Sequence, residues 1–199
     1  MTNWKKLRQQ IREARAGVPK KYAQQASYKF SELIGEMDWY QRATKVAGFL
    51  PFEGEADPLP LMDRAIQDGK RVFVPIIIAK GQPLKFAAWT RNTPTSKNGF
   101  GIDQPDVPRE SLIEAHELDF VITPLVACDD RCNRLGVGGG FYDRSFAFLN
   151  ELEGMDARPT RLVGIAYELQ VIDRAPTEDW DVRLDAVATE TGLRLAGSR

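Results

Sequence analysis

The sequence is sparing with the residues that build metal centres and disulfide frameworks. It has two cysteines, Cys128 and Cys132, and one histidine, His116. A disulfide-stapled secreted domain is far denser in cysteine. Two cysteines four positions apart with one distant histidine make a poor zinc set. The expectation is therefore two reduced cytosolic thiols. Long apolar runs are also missing. None approaches the ~18 residues of a membrane span. The opening stretch, MTNWKKLRQQIREARAGV, lacks the apolar centre of a signal peptide. A cytoplasmic protein with no membrane partner is expected. No charge of one sign dominates: 27 Lys and Arg stand against 28 Asp and Glu, for a net charge of −1. Such a chain has no overall positive field to hold nucleic acid by counterion release. Internal repeats, low-complexity tracts and a linker are absent too, so residues 1–199 read as one domain. With 43% hydrophobic and 28% charged residues, the chain can bury a single well-formed core.

The hydrophobic pattern gives the elements. Leu7, Ile11 and Ala14 recur at helical spacing among Lys5, Lys6, Arg8, Arg12 and Arg15, which predicts a basic amphipathic helix over 3–16. Gly17 and Pro19 end it. A second helix is predicted from Lys20 to Met37, and a third from Pro58 to Gly69. Short apolar runs predict strands at 45–50, 71–78, 84–89, 119–126, 162–166 and 184–188. A long polar loop is expected after Trp89, and a helix from Phe141 to Glu153. Strands alternating with helices imply an α/β fold: three αβα layers around a mostly parallel sheet, similar in layout to ribose-phosphate isomerases and CoA transferases.

The chemistry concentrates in Arg134-Leu-Gly-Val-Gly-Gly-Gly-Phe-Tyr-Asp-Arg144. It follows a buried strand and precedes a helix, the place where α/β sheets bind ligands. Glycines let a backbone adopt positive φ and approach a ligand, and N–H groups at a helix start point toward an anion. Arg134 and Arg144 add charged donors. The string is neither G-x-x-x-x-G-K-[ST] nor G-x-G-x-x-G, and a tight structural turn is the alternative reading. Asp143 can equally begin the following helix, and Asp181 can be part of a solvated acidic turn. Glu55 beside Glu53 reads by itself as a loop acid, and Leu50 as plain core.

The same string closely resembles the RLGxGxGYYD signature of 5-formyltetrahydrofolate cyclo-ligases. Other segments agree in order along nearly the whole chain. They are the basic N-terminal helix, Leu50-Pro-Phe-Glu-Gly-Glu55, Gly69–Pro75, Gly101-Ile-Asp-Gln-Pro105, Asp119–Ala127, Val163–Tyr167 with Gln170, Pro176, and Trp180-Asp181.

The resemblance implies a monomeric enzyme that converts 5-formyltetrahydrofolate, including polyglutamylated forms, to 5,10-methenyltetrahydrofolate. It implies ATP as co-substrate, Mg²⁺, and release of ADP and phosphate through a phosphorylated formyl group. Carried over by position, Lys5, Arg8, Arg134, Leu135, Gly136, Val137, Gly138, Gly139, Gly140, Phe141 and Tyr142 match the nucleotide site. Leu50, Glu55 and Val137 through Phe141 match the folate side. Asp143 and Asp181 match the metal carboxylates, and Glu55, Arg134 and Tyr142 the catalytic group. Phe86 and Trp89 are further candidates for flat contacts to the folate rings. Three positions depart from the commoner pattern: Trp4 where many relatives carry Lys, Val137 where some carry a basic residue, and Phe141 where Tyr is usual. Two rival readings remain at this level, a sugar-phosphate isomerase or CoA-transferase-like enzyme and a ligand-storing module.

Overall fold

The computed structural model describes residues 4–152 and 158–197. Asn3 and Glu153, expected ends of two helices, lie outside the described residues. The elements run α1 (Trp4–Ala16), α2 (Lys20–Gly35), α3 (Asp38–Arg42), β1 (Lys45–Ala47), α4 (Leu59–Gln67), β2 (Arg71–Ile76), β3 (Lys85–Ala88), β4 (Thr95–Lys97), β5 (Asp103–Pro105), β6 (Phe120–Thr123), β7 (Ala127–Cys128), β8 (Arg134–Leu135), α5 (Phe141–Phe146), β9 (Arg161–Ile165), β10 (Ala186–Thr189) and β11 (Gly192–Leu195).

Seven strands form one sheet in the order β11-β10-β9-β6-β1-β2-β3. The five inner strands are parallel; β3 and β11 close the edges antiparallel. Successive side chains of a strand point to opposite faces, and the apolar residues divide accordingly. Val46, Val72, Val74, Phe120, Ile122, Val163, Ile165, Ala186 and Ala188 join the core beneath α2 and α4. Ala47, Phe73, Val121, Leu162 and Val187 join a second core with Phe146 and Leu149. This doubly covered sheet is why the inner strands read as continuous apolar runs.

Three details differ from the sequence reading. The expected helix after the glycine turn is shorter: α5 stops at Phe146 and a 3-10 turn, Ala147–Leu149, follows. The tight turn carries both Phe146 and Leu149 into the core, so packing overrides the longer helical pattern. The polar loop after Trp89 contains the β4–β5 hairpin, whose exposed Thr95-Ser96-Lys97 has no apolar alternation to announce it. Phe86 and Trp89 are core residues, fully buried and 6% exposed respectively, and are not ligand platforms. Phe86 sits on a sheet strand with its ring against Phe146, a position that leaves no face for a ligand.

Candidate functional site

The glycine segment is delivered by a small hairpin in which β7 and β8 pair antiparallel. The turn between them is shaped by Asp129, only 1% exposed. Its carboxylate accepts bonds from the N–H groups of Arg131, Asn133 and Ala175 and from Asn133 Nδ2. A buried carboxylate with this many donors is satisfied without a partner cation. Sequence reading missed it, because an Asp-Asp turn has many other uses.

Beyond β8 the chain enters the loop Gly136–Gly140. Gly138 has φ +98° and Gly140 φ +62°, a backbone that side-chain-bearing residues rarely adopt. Val137, Gly138 and Gly139 are exposed, so their N–H groups are available to a ligand. Since α5 has only six residues, any pull on an anion here would come from this run of loop N–H groups rather than from a long helix dipole. Arg8 Nε donates to Gly136 O at 2.8 Å, fixing the loop from outside. Lys5 is exposed on the same helix.

Arg134 faces inward, its side chain 6% exposed. It donates to Val182 O and forms an ion pair with Asp143 Oδ1. The same Oδ1 accepts from Val182 N at 3.2 Å. Burial lowers the Arg134 pKa, opposed by Asp143 and Asp181. Asp143 contacts Arg134 and the charge of Asp181 acts on it as well, although the sequence separates the two carboxylates by a whole strand. Asp181 Oδ2 accepts from Glu178 N at 2.9 Å. Asp143 Oδ2 and Asp181 Oδ1 have no hydrogen-bond partner among the described residues. Leu135 is buried with Ile11 of α1.

Tyr142 points into the molecule. Its ring stacks on Phe146 with centroids 6.1 Å apart, yet its hydroxyl is buried with no partner among the described residues. Burial, then the charge of Glu55, raises its pKa. A buried orphan hydroxyl costs about 1–3 kcal/mol, and it marks a place where a bound molecule can supply the missing bond. Phe141 meets the exposed Phe100 edge-on, with centroids 6.2 Å apart. Sequence reading missed Phe100, although it lies in the segment that precedes Gly101.

Glu55 lies on the segment leaving β1. Its Oε2 accepts from Phe52 N at 3.2 Å, and Oε1 has no partner among the described residues. Burial raises its pKa above 4.5, and Arg15 is the foremost group opposing that rise. Arg15, Glu55, Asp57, Lys20, Tyr28 and Tyr167 are among the walls of a cavity of about 550 Å³. The glycine loop is not among them; Glu55 lines the cavity, and its charge is felt at the Tyr142 hydroxyl. Leu50 is partly buried and packs against the core under α4.

No described helix is long and apolar enough to cross a membrane. Residues 1–190 match the 5-formyltetrahydrofolate cyclo-ligase family. The 5-formyltetrahydrofolate cyclo-ligase of Haemophilus influenzae is 32% identical over 179 residues, 89% of this chain and 92% of that protein. That of Escherichia coli K12 is 37% identical over 149 residues, 74% and 78% of the two chains. Among solved structures, 5,10-methenyltetrahydrofolate synthetase of Aquifex aeolicus superposes with a TM-score of 0.78 at 25% identity, covering 98% of this chain and 93% of the other.

Proposed function

Because the chain belongs to the 5-formyltetrahydrofolate cyclo-ligase family, we propose that it closes 5-formyltetrahydrofolate to 5,10-methenyltetrahydrofolate with ATP and Mg²⁺, releasing ADP and phosphate. The observation that carries the finer reading is the exposed left-handed glycine loop running directly into Asp143.

The residues present fit both groups. The loop N–H groups of Val137 to Gly139 suit phosphate oxygens. Asp143 Oδ2 and Asp181 Oδ1, each without a partner, suit a cation that takes one or two carboxylates with phosphate and water oxygens. Phosphate transfer to the formyl oxygen turns a poor leaving group into a good one, and that is what ATP supplies.

The remaining work belongs to this chain's side chains. Positioning and charge neutralisation dominate such chemistry. Arg8 and Arg134 hold the loop and Asp143 in place. Lys5 extends the positive rim. The Tyr142 hydroxyl donates to the formyl oxygen and orients it. Glu55, its pKa raised, takes the proton from N10 as that nitrogen attacks; a base of higher pKa does this better. Leu50 lines the apolar approach to the rings, and Phe141 and Phe100 offer them flat contacts. A monomer acting on free and polyglutamylated folate in the cytoplasm completes the reading.

An absorbance assay at the methenyl band tests it, with 5-formyltetrahydrofolate and Mg²⁺, with and without ATP. The expected result is a rise that needs ATP and stops with EDTA. A rise without ATP removes the nucleotide from the reading; no rise from folded protein removes the reaction.

A further inference from the structure

Helix α1 carries three arginines on one face, Arg8, Arg12 and Arg15, at the i, i+4, i+7 spacing that aligns side chains. They span about 10 Å of helix axis. Arg8 reaches the glycine loop at Gly136 O. Arg12 pairs with the Glu53 carboxylate. Arg15 Nη2 donates to Glu53 O at 3.1 Å. One helix therefore grips both the loop on the nucleotide side and the turn that aims Glu55.

The turn needs that grip. Glu53 has φ +48° and Gly54 φ +73°, two consecutive left-handed residues of which the first has a side chain. Such backbone persists only when its surroundings enforce it. The end of α1 lies directly against it: a Cβ on Gly54 would come within 3.6 Å of Ala16 Cα and Arg15 O. Arg15 is 3% exposed, lines the cavity and keeps its Nε without a partner among the described residues. α1 also packs through a small apolar cluster of Leu7 and Ile11 with Val126, Ala127, Leu135 and Ile172.

We propose that Arg15 is a positioning residue that, with Arg12 and Arg8, couples the Glu55 turn to the glycine loop, so that nucleotide and folate tighten each other's binding. The inference rests on the site assignment above. Ligand at the glycine loop steadies Arg8 and with it α1; α1 then holds the Glu53–Gly54 turn. Linkage requires the effect to be equal in both directions.

The experiment is calorimetry with full-length protein, a non-hydrolysable ATP analogue with Mg²⁺, and 5-formyltetrahydrofolate, each alone and with the other saturating. Wild type should show mutual tightening of at least about 5-fold. Arg15→Lys keeps the charge but loses the two-pronged reach, and should reduce the factor to under about 2-fold. Arg12→Gln, at an exposed pair, should reduce it by about a factor of two. Melting temperatures report whether each variant is folded; if Arg15→Lys is not, Arg12→Gln carries the test. Undiminished coupling in the folded variants overturns the inference. So does a wild type that turns over in the ATP-dependent assay without coupling, and there the functional reading survives. A wild type that binds neither ligand removes both.

Discussion

The glycine loop and the Glu55 turn are both gripped by α1, yet they are made in opposite ways. The loop is exposed and works through its backbone, with glycines at the φ values that only glycine tolerates well. The turn works through side chains in a poorly solvated place: a buried arginine, a carboxyl raised by burial and a cavity beside them. One presents dipoles fixed by the chain trace. The other holds charge at the expense of solvation and offsets it with neighbours. A loop of the first kind tolerates side-chain change and not backbone change; the Glu55 turn, with Gly54 at φ +73°, is sensitive to both.

Substitutions can sharpen or break this contrast. The largest effect is expected from Asp143→Asn, at the carboxylate that closely follows the loop. Turnover of the folded fraction should fall by about 100-fold or more, and stability by about 3 kcal/mol because the buried Arg134 loses its partner. Full activity removes Asp143 from the site. Arg134→Ala comes next, since it leaves Asp143 without its cation and empties a buried site. It should cost about 3 kcal/mol of stability in urea, with a raised KM for ATP in the folded fraction. An unchanged KM for ATP shows that Arg134 only supports the fold.

Gly138→Ala tests the backbone claim directly. At φ +98° the new side chain is strained by roughly 1–3 kcal/mol. The KM for ATP should rise about tenfold or more while folate affinity holds. Equal loss for both ligands means that the two regions are not separable.

Glu55→Gln tests the buried-charge claim. Folate use should fall, by about tenfold in kcat/KM. The stability effect has the opposite sign. The folded-state pKa of Glu55 is raised above 4.5, so wild type loses stability as pH rises from 4.5 through that higher value. The glutamine variant lacks this loss. Its melting temperature should exceed that of wild type near pH 8 and the difference should shrink toward about pH 5. A difference that does not change with pH breaks the contrast, because Glu55 would then ionise as freely folded as unfolded.

The two regions also differed in how much the sequence revealed. Gly138 and Gly140, at φ +98° and +62° and followed by Asp143, can be read directly, since backbone of positive φ demands a particular residue at a particular place. The αβα layout was legible for a similar reason: a doubly covered parallel strand must be apolar on both faces, and Phe120–Thr123 is buried throughout. Lengths were less legible. The helix at Phe141 ends early because Phe146 and Leu149 enter the core through a tighter turn.

What the sequence determined by itself, then, was the backbone chemistry and the pattern of layers. Both are local, set by which φ values and which alternation each residue permits. The tertiary structure alone decided that Arg15 lies buried near Glu55, that Arg134 faces inward to Asp143, and that Phe86 and Trp89 belong to the core. Whether a charge is exposed or a ring has a free face depends on segments more than a hundred residues apart, such as α1 and Leu125. Desolvation is a property of that packing and not of any residue's type.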